Sequence, residues 1–222
     1  MADMNLTVGF DLDMTLIDSR PGIKAAFLAL SAETGAFIDA DAAVSRLGPP
    51  LDQELAHWFP QDQIPAIADR YREIYPTHAI APSPAMPGAR EAIRAVQALG
   101  GRAIVVTAKH EPNARLHLEH LAIEADAVIG SLWAEAKAGA LREYGAQVYV
   151  GDHVGDVRGA RTAGALSVVV PTGPCPEQEL SAAGADVVLP DLTALPQWLA
   201  QYVAALPGPR HAQGAHETQG TP

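Results

Sequence analysis

The chain is short of cysteine, positive charge and long apolar runs, and each shortage narrows the classes of function open to it. Its single cysteine, Cys175, sits between Pro174 and Pro176 and can form no intrachain disulfide, which fits a reducing compartment. Lys and Arg number 15 against 26 Asp and Glu, a net charge of -11 with no basic run, so nucleic acid is not the expected partner. The apolar runs are strand-sized, well below the ~20 residues a membrane span needs, and Met1-Ala2-Asp3-Met4-Asn5 has no basic leader. A cytoplasmic protein with no membrane partner is expected. What the chain does have is 222 residues at 48% hydrophobic, enough for one good core and a smaller companion.

The most informative stretch is Val8-Gly9-Phe10-Asp11-Leu12-Asp13-Met14-Thr15, an apolar strand that stops on alternating acids. Alternation puts Asp11 and Asp13 on one side of the backbone at a mouth where a polar ligand can sit. An Asp-x-Asp also arises by chance, as in Asp39-Ala40-Asp41, where acids precede a helical pattern and complement its N-terminus. Position at a strand end separates the two pairs.

Further apolar strands are expected at 102–107, 127–130, 147–151, 166–170 and 186–189, with helical patterns between them. That alternation implies right-handed crossovers and a mostly parallel sheet covered on both faces, an α/β doubly wound core. The long helical interval after the first strand exceeds what one crossover needs, so residues 18–87 are expected to form an inserted helical domain between core segments 1–17 and 88–206. Its helices are expected near 22–35, 51–59 and 62–75, with hinges at Asp18–Gly22 and Ala81–Gly88. Residues 207–222, with almost no apolar side chains, are expected to be a disordered tail.

Three more polar stations follow strand ends: Thr107-Ala108-Lys109, then Lys137, then Gly151-Asp152-His153-Val154-Gly155-Asp156. A hydroxyl can bond a phosphate oxygen, an ammonium can pair with a carboxylate and a phosphate, and paired acids suit a hard divalent cation. Elsewhere His117 and His120, three residues apart, read as an exposed helix face.

In this order and on these strands, the four stations closely resemble the motifs of the haloacid dehalogenase superfamily of phosphohydrolases, from about residue 5 to 200. The resemblance implies a Rossmann-like core with a small helical type-1 cap, the 110–136 interval being too short for the alternative cap placed after the second motif. Leu47-Gly48-Pro49-Pro50, Pro87-Gly88 and Thr107-Ala108-Lys109 resemble the phosphoglycolate phosphatase subgroup. Asp11 is then the nucleophile and Asp13 the acid and base. Thr15 orients the loop, Thr107 binds a phosphoryl oxygen, and Lys137 offsets charge, with Lys109 as its rival. Mg2+ is implied at Asp11, the Asp13 main-chain carbonyl and Asp152, with Asp156 supporting a metal-bound water or Lys137. The expected partner is a small phosphorylated metabolite, met by Arg46 and Gly48 of the cap with His57 and Lys24 behind them, in a monomer or homodimer. Met14 and Ala138 depart from the glycine and proline usual at their positions. A phosphomutase of the same fold and a non-catalytic scaffold are the rival readings; a dehalogenase is disfavoured by the acid at Asp13.

Overall fold

The computed structural model describes residues 6–206, so the stretch expected to be a disordered tail lies outside the described residues. Six strands, β1 (Thr7–Phe10), β2 (Arg102–Val106), β3 (Ala127–Ile129), β4 (Val148–Gly151), β5 (Leu166–Val169) and β6 (Val187–Val188), form one sheet in the order β3-β2-β1-β4-β5-β6. Every pairing is parallel. The strands are short and apolar because both faces are covered. Ala103 and Val105 of β2 join the core on one face with Val8, Phe10, Val148 and Val150, while Ile104, Val106 and Tyr149 turn to the other. The first face is closed by α5 (Ala89–Ala98), α6 (Glu111–His120) and α10 (Leu195–Ala205). The second is closed by α7 (Lys137–Glu143) and α8 (Val154–Ala163), with α9 (Glu177–Ala182) beside β5.

Between β1 and α5 lie α1 (Arg20–Thr34), α2 (Ala40–Ser45), α3 (Leu51–Leu55) and α4 (Ile64–Ala79), which close a hydrophobic cluster of their own. Ile23, Ala26, Phe27 and Leu30 recur at helical spacing on α1 and meet Ala68, Tyr71, Tyr75 and Ala79 of α4. Asp39 caps α2 by accepting from the Ala42 N–H at 3.0 Å, the role its place before a helical pattern predicts. Two elements differ from expectation. α3 stops at Leu55 and gives way to turns before Pro60, and α4 runs past 75 to Ala79 although Pro76 lies inside it. Burial of Tyr75 and Ala79 along one stripe outweighs the hydrogen bond that Pro76 cannot donate. The chain enters and leaves the four helices side by side. Ile17 bridges Ala85, the Asp18 N–H donates to the Pro84 carbonyl at 2.9 Å, and that of Met86 to the Leu16 carbonyl at 2.9 Å.

β1 lies at the centre of the sheet, with its chain successor β2 on one side and β4 on the other. Strand order therefore reverses beside β1, and a crevice opens beyond its C-terminal end, where open parallel sheets hold ligands.

Candidate active site

Asp11, Asp152 and Asp156 meet in that crevice, one from the end of β1, one from the turn after β4 and one from the first turn of α8. All three are buried, and one carboxylate oxygen of each lies within 4.8 Å of the others. Lys137, at the first position of α7 and fully buried, reaches into them: its Nζ is 2.9 Å from Asp11 Oδ1, 2.7 Å from Asp156 Oδ1 and 2.8 Å from the Tyr149 hydroxyl. The Tyr149 hydroxyl donates in turn to the Val106 carbonyl at 2.6 Å. Its ring fits because β1 carries glycine opposite it; a first side-chain carbon on Gly9 would lie 2.8 Å from that ring. The ammonium thus has three acceptors for its three protons.

Asp156 is spent on support. Its Oδ2 accepts from the N–H groups of Asp152 (3.2 Å) and His153 (3.1 Å), which fixes the turn into α8, while Oδ1 carries Lys137. Thr15 donates its hydroxyl to Asp152 Oδ1 at 2.8 Å, tying the loop after β1 to the turn after β4. Met14, where a glycine was the expected type, sits at φ 60 with its side chain buried, so this loop needs a left-handed residue and fills it with a side chain that packs. Thr172, in the loop after β5, donates to the Met14 carbonyl at 2.6 Å. At the neighbouring Gly173 a first side-chain carbon would lie 1.8 Å from Asp152 Oδ2.

Asp13 takes a different cation. Its Oδ1 lies 3.0 Å from Lys109 Nζ, which also donates to the Tyr75 hydroxyl of α4 at 2.7 Å. The two lysines that compete for one role in the sequence therefore face two different carboxylates: Lys137 stands by Asp11 and Lys109 by Asp13. Thr107 is buried at the end of β2, where its hydroxyl accepts from the Lys109 N–H at 3.2 Å. His117 corrects the expectation of an exposed face. It is fully buried, with Nε2 3.0 Å from the Tyr75 hydroxyl, because α6 turns this side toward α4; His120, a turn away, is exposed.

A cavity of about 290 Å³ opens from Asp13 and Lys109 toward the four inserted helices. Arg46 and Gly48 both line it, whereas Lys24 and His57 do not. Arg46 is held by Glu54, 2.5 Å from Oε1, and lies over the Trp58 ring; Lys24 pairs with Asp41. Gly48, at φ 129, brings bare backbone against the Trp133 and His153 rings: a first side-chain carbon there would lie 2.8 Å from His153 Cδ2.

The electrostatics of the acid cluster follow from burial. Loss of hydration pushes Asp11 up to about 7, with Lys137 pulling against it and the Asp156 charge adding to it. Asp152 is raised well above the usual carboxylate range by burial and then by Asp156 and Asp11. Burial alone would lower the Lys137 ammonium, yet Asp11 and Asp156 outweigh it and hold its pKa above the ordinary value. Three carboxylates against one ammonium leave two negative charges when all are ionised. All-oxygen donors with that excess fit a hard divalent cation.

A family model for the haloacid dehalogenase-like hydrolases matches residues 8–170, and the chain belongs to that family. It is a hydrolase on that fold. Among relatives, the phosphoglycolate phosphatase of Caulobacter vibrioides is 28% identical over 93% of this chain and 96% of its own length. The tyrosine-protein kinase PtkA of Mycobacterium tuberculosis is 30% identical over 74% of this chain, which spans 61% of that protein. A predicted phosphatase from Clostridium acetobutylicum shares the fold at TM-score 0.77, with 24% identity over 89% of this chain and 99% of that one.

The residues that the sequence left unmarked are Tyr149, Thr172, Gly173 and Tyr75. Only the turn-forming Pro171-Thr172-Gly173-Pro174 after an apolar strand carries a signal, that of a loop at the same end of the sheet.

Proposed function

We propose that the protein is a magnesium-dependent phosphatase that hydrolyses a small phosphate monoester, phosphoglycolate or a close analogue, through an aspartyl-phosphate on Asp11. The observation that carries this reading is the meeting of Asp11, Asp152, Asp156 and Lys137, drawn from three separate stretches of chain, at the reversal of the sheet. Phosphate monoesters resist hydrolysis because an anionic nucleophile must approach an anionic phosphoryl group. A magnesium ion held by Asp11, Asp152 and the Asp13 main-chain carbonyl would offset that repulsion.

The chain's own groups do the rest. A carboxylate oxygen of Asp11 attacks phosphorus in line, forming the acyl phosphate bond as the ester bond breaks. Asp13 gives its proton to the departing ester oxygen, then takes a proton from the water that cleaves the acyl phosphate and releases inorganic phosphate. Lys137 holds Asp11 in place and offsets charge on the phosphoryl oxygens, and Thr107 donates its hydroxyl to one of them. Thr15 keeps Asp152 aimed at the site. Residues 18–87 act as a cap: closed over the cavity they exclude water during transfer, and the paired linkers at 17–18 and 84–86 are where it opens. The similarity to the Caulobacter phosphoglycolate phosphatase over nearly its whole length supports the choice of substrate. The lone cysteine suits a cytoplasmic setting.

The test is phosphate release from 4-nitrophenyl phosphate, with magnesium and with a chelator, by the wild type and Asp11→Asn, followed by a panel of natural monoesters that includes phosphoglycolate. Magnesium-dependent turnover abolished by the substitution is expected. Absence of release on every substrate by folded protein with magnesium would overturn the reading in favour of a mutase or a scaffold.

A further inference from the structure

We infer that Tyr75, on the helical insert, is a positioning residue that carries the seating of the cap to Asp13 through Lys109. The inference rests on the phosphatase reading above, in which Asp13 protonates the leaving group. Four side chains from four segments form one chain of contacts, half-buried at Asp13 and Lys109 and buried at Tyr75 and His117: Asp13 after β1, Lys109 after β2, Tyr75 on α4 and His117 on α6. Asp13 Oδ1 is 3.0 Å from Lys109 Nζ, Lys109 Nζ is 2.7 Å from the Tyr75 hydroxyl, and that hydroxyl is 3.0 Å from His117 Nε2.

The direction of the protons follows from what each group can donate. An ammonium has no lone pair, so Tyr75 oxygen accepts from Lys109, which leaves its own proton free to go to His117 Nε2. That requires a neutral His117 with its proton on Nδ1. Full burial and the nearby Lys109 charge favour the neutral ring, pushing His117 down to about 3. His117 therefore fixes where the Tyr75 hydroxyl points, and the hydroxyl fixes one corner of the Lys109 ammonium, which also lies 4.6 Å from the Tyr75 ring centre. The Lys109 side chain is 7% exposed, so little water is on hand to replace a lost partner. In this chain of contacts Tyr75 is the member that belongs to the cap. When α4 is seated, Lys109 is held from two sides and sets the place of the Asp13 carboxylate; when α4 lifts, that hold goes with it. Proton delivery is thereby tied to closure.

Leaving-group dependence tests this. Phenyl phosphate and 2,4-dinitrophenyl phosphate have similar shape, but only the first needs a proton on its departing oxygen. In the wild type both values of kcat/KM are measured first, beside the panel of natural monoesters; if no ester is hydrolysed, the phosphatase reading falls and takes this inference with it. In Tyr75→Phe, which keeps the buried ring and removes only the hydroxyl, the ratio of kcat/KM for the dinitrophenyl over the phenyl ester is expected to rise about tenfold, a small part of what general acid catalysis supplies. His117→Asn, which meets the site through Tyr75, is expected to move the ratio in the same direction, and Lys109→Met gives a second reading should Tyr75→Phe fold poorly. A merely structural role lowers both values together. A ratio within twofold of the wild type in the folded variants would overturn the inference.

Discussion

At Gly173 a single hydrogen atom decides whether Asp152 can stand where it does. A methyl group there would lie 1.8 Å from Asp152 Oδ2, well inside contact distance, so Asp152 must swing away or the loop must retreat. The nearest atom is the end of a short side chain, so the fold should survive and the site should not. Gly173→Ala is therefore expected to lower Tm by only a few degrees, while raising the magnesium concentration for half-maximal activity at least tenfold; titration of activity with magnesium checks it. An unchanged magnesium requirement would show that Asp152 does not take part. The same residue shows where sequence reading stops. Asp11, Asp13, Thr107, Lys137, Asp152 and Asp156 were legible as candidates because each stands at or just past a strand end or a helix start, and the fold brings Asp11, Lys137, Asp152 and Asp156 into one cluster. Gly173 and Tyr149 were not, because their importance lies in what a distant segment places against them. His117 was misread for the same reason: spacing along a helix does not say which side another helix will cover.

α1 and α4 pack through a close approach at Gly22. A first side-chain carbon at Gly22 would lie 2.2 Å from the Ala79 carbonyl oxygen and 2.3 Å from Ser83 Oγ, and a backbone oxygen cannot turn aside. Gly22→Ala is expected to destabilise the protein by about 1–3 kcal/mol, the usual cost of overpacking. Gly139→Ala on α7, where nothing lies within 4 Å, is expected to be neutral or to stabilise by up to about 1 kcal/mol through helix propensity. Urea unfolding of the two variants beside the wild type decides, and equal midpoints would refute the close approach. At this scale most of the fold was legible. The six strands read as apolar runs, and the stripe on α1 reads from Ile23, Ala26, Phe27 and Leu30. Element ends were less so: α4 passes through Pro76 because tertiary burial of Tyr75 and Ala79 overrides a local stop signal.

Across the whole molecule the acid cluster is a charge placed against stability, and its sign can be worked out. Without metal, Asp11 titrates near 7 in the folded protein against an ordinary value of 3.8, so between those values the folded state keeps a proton that the unfolded chain has released. Stability from this group falls as pH rises through that window and stays low above it. His117 acts the other way. Its ordinary value of 6.5 is pushed to about 3, so the unfolded chain binds the extra proton and stability falls as pH drops below 6.5. Between about pH 4 and 6.5 the two oppose each other, and a bare Tm profile of the wild type hides both. A difference profile separates them. With a chelator present, Asp11→Asn mimics the protonated carboxyl at every pH, so the Tm of wild type minus variant is expected to fall steadily from about pH 4 to pH 8, leaving the variant the more stable protein at the upper end. Saturating magnesium at pH 8 should then raise the wild type more than Asp11→Asn, because a cation bound only by the folded state stabilises it by mass action. A difference profile flat in pH would mean that Asp11 is not held out of water against its neighbours, and the account of why this cluster calls for a cation would fail with it.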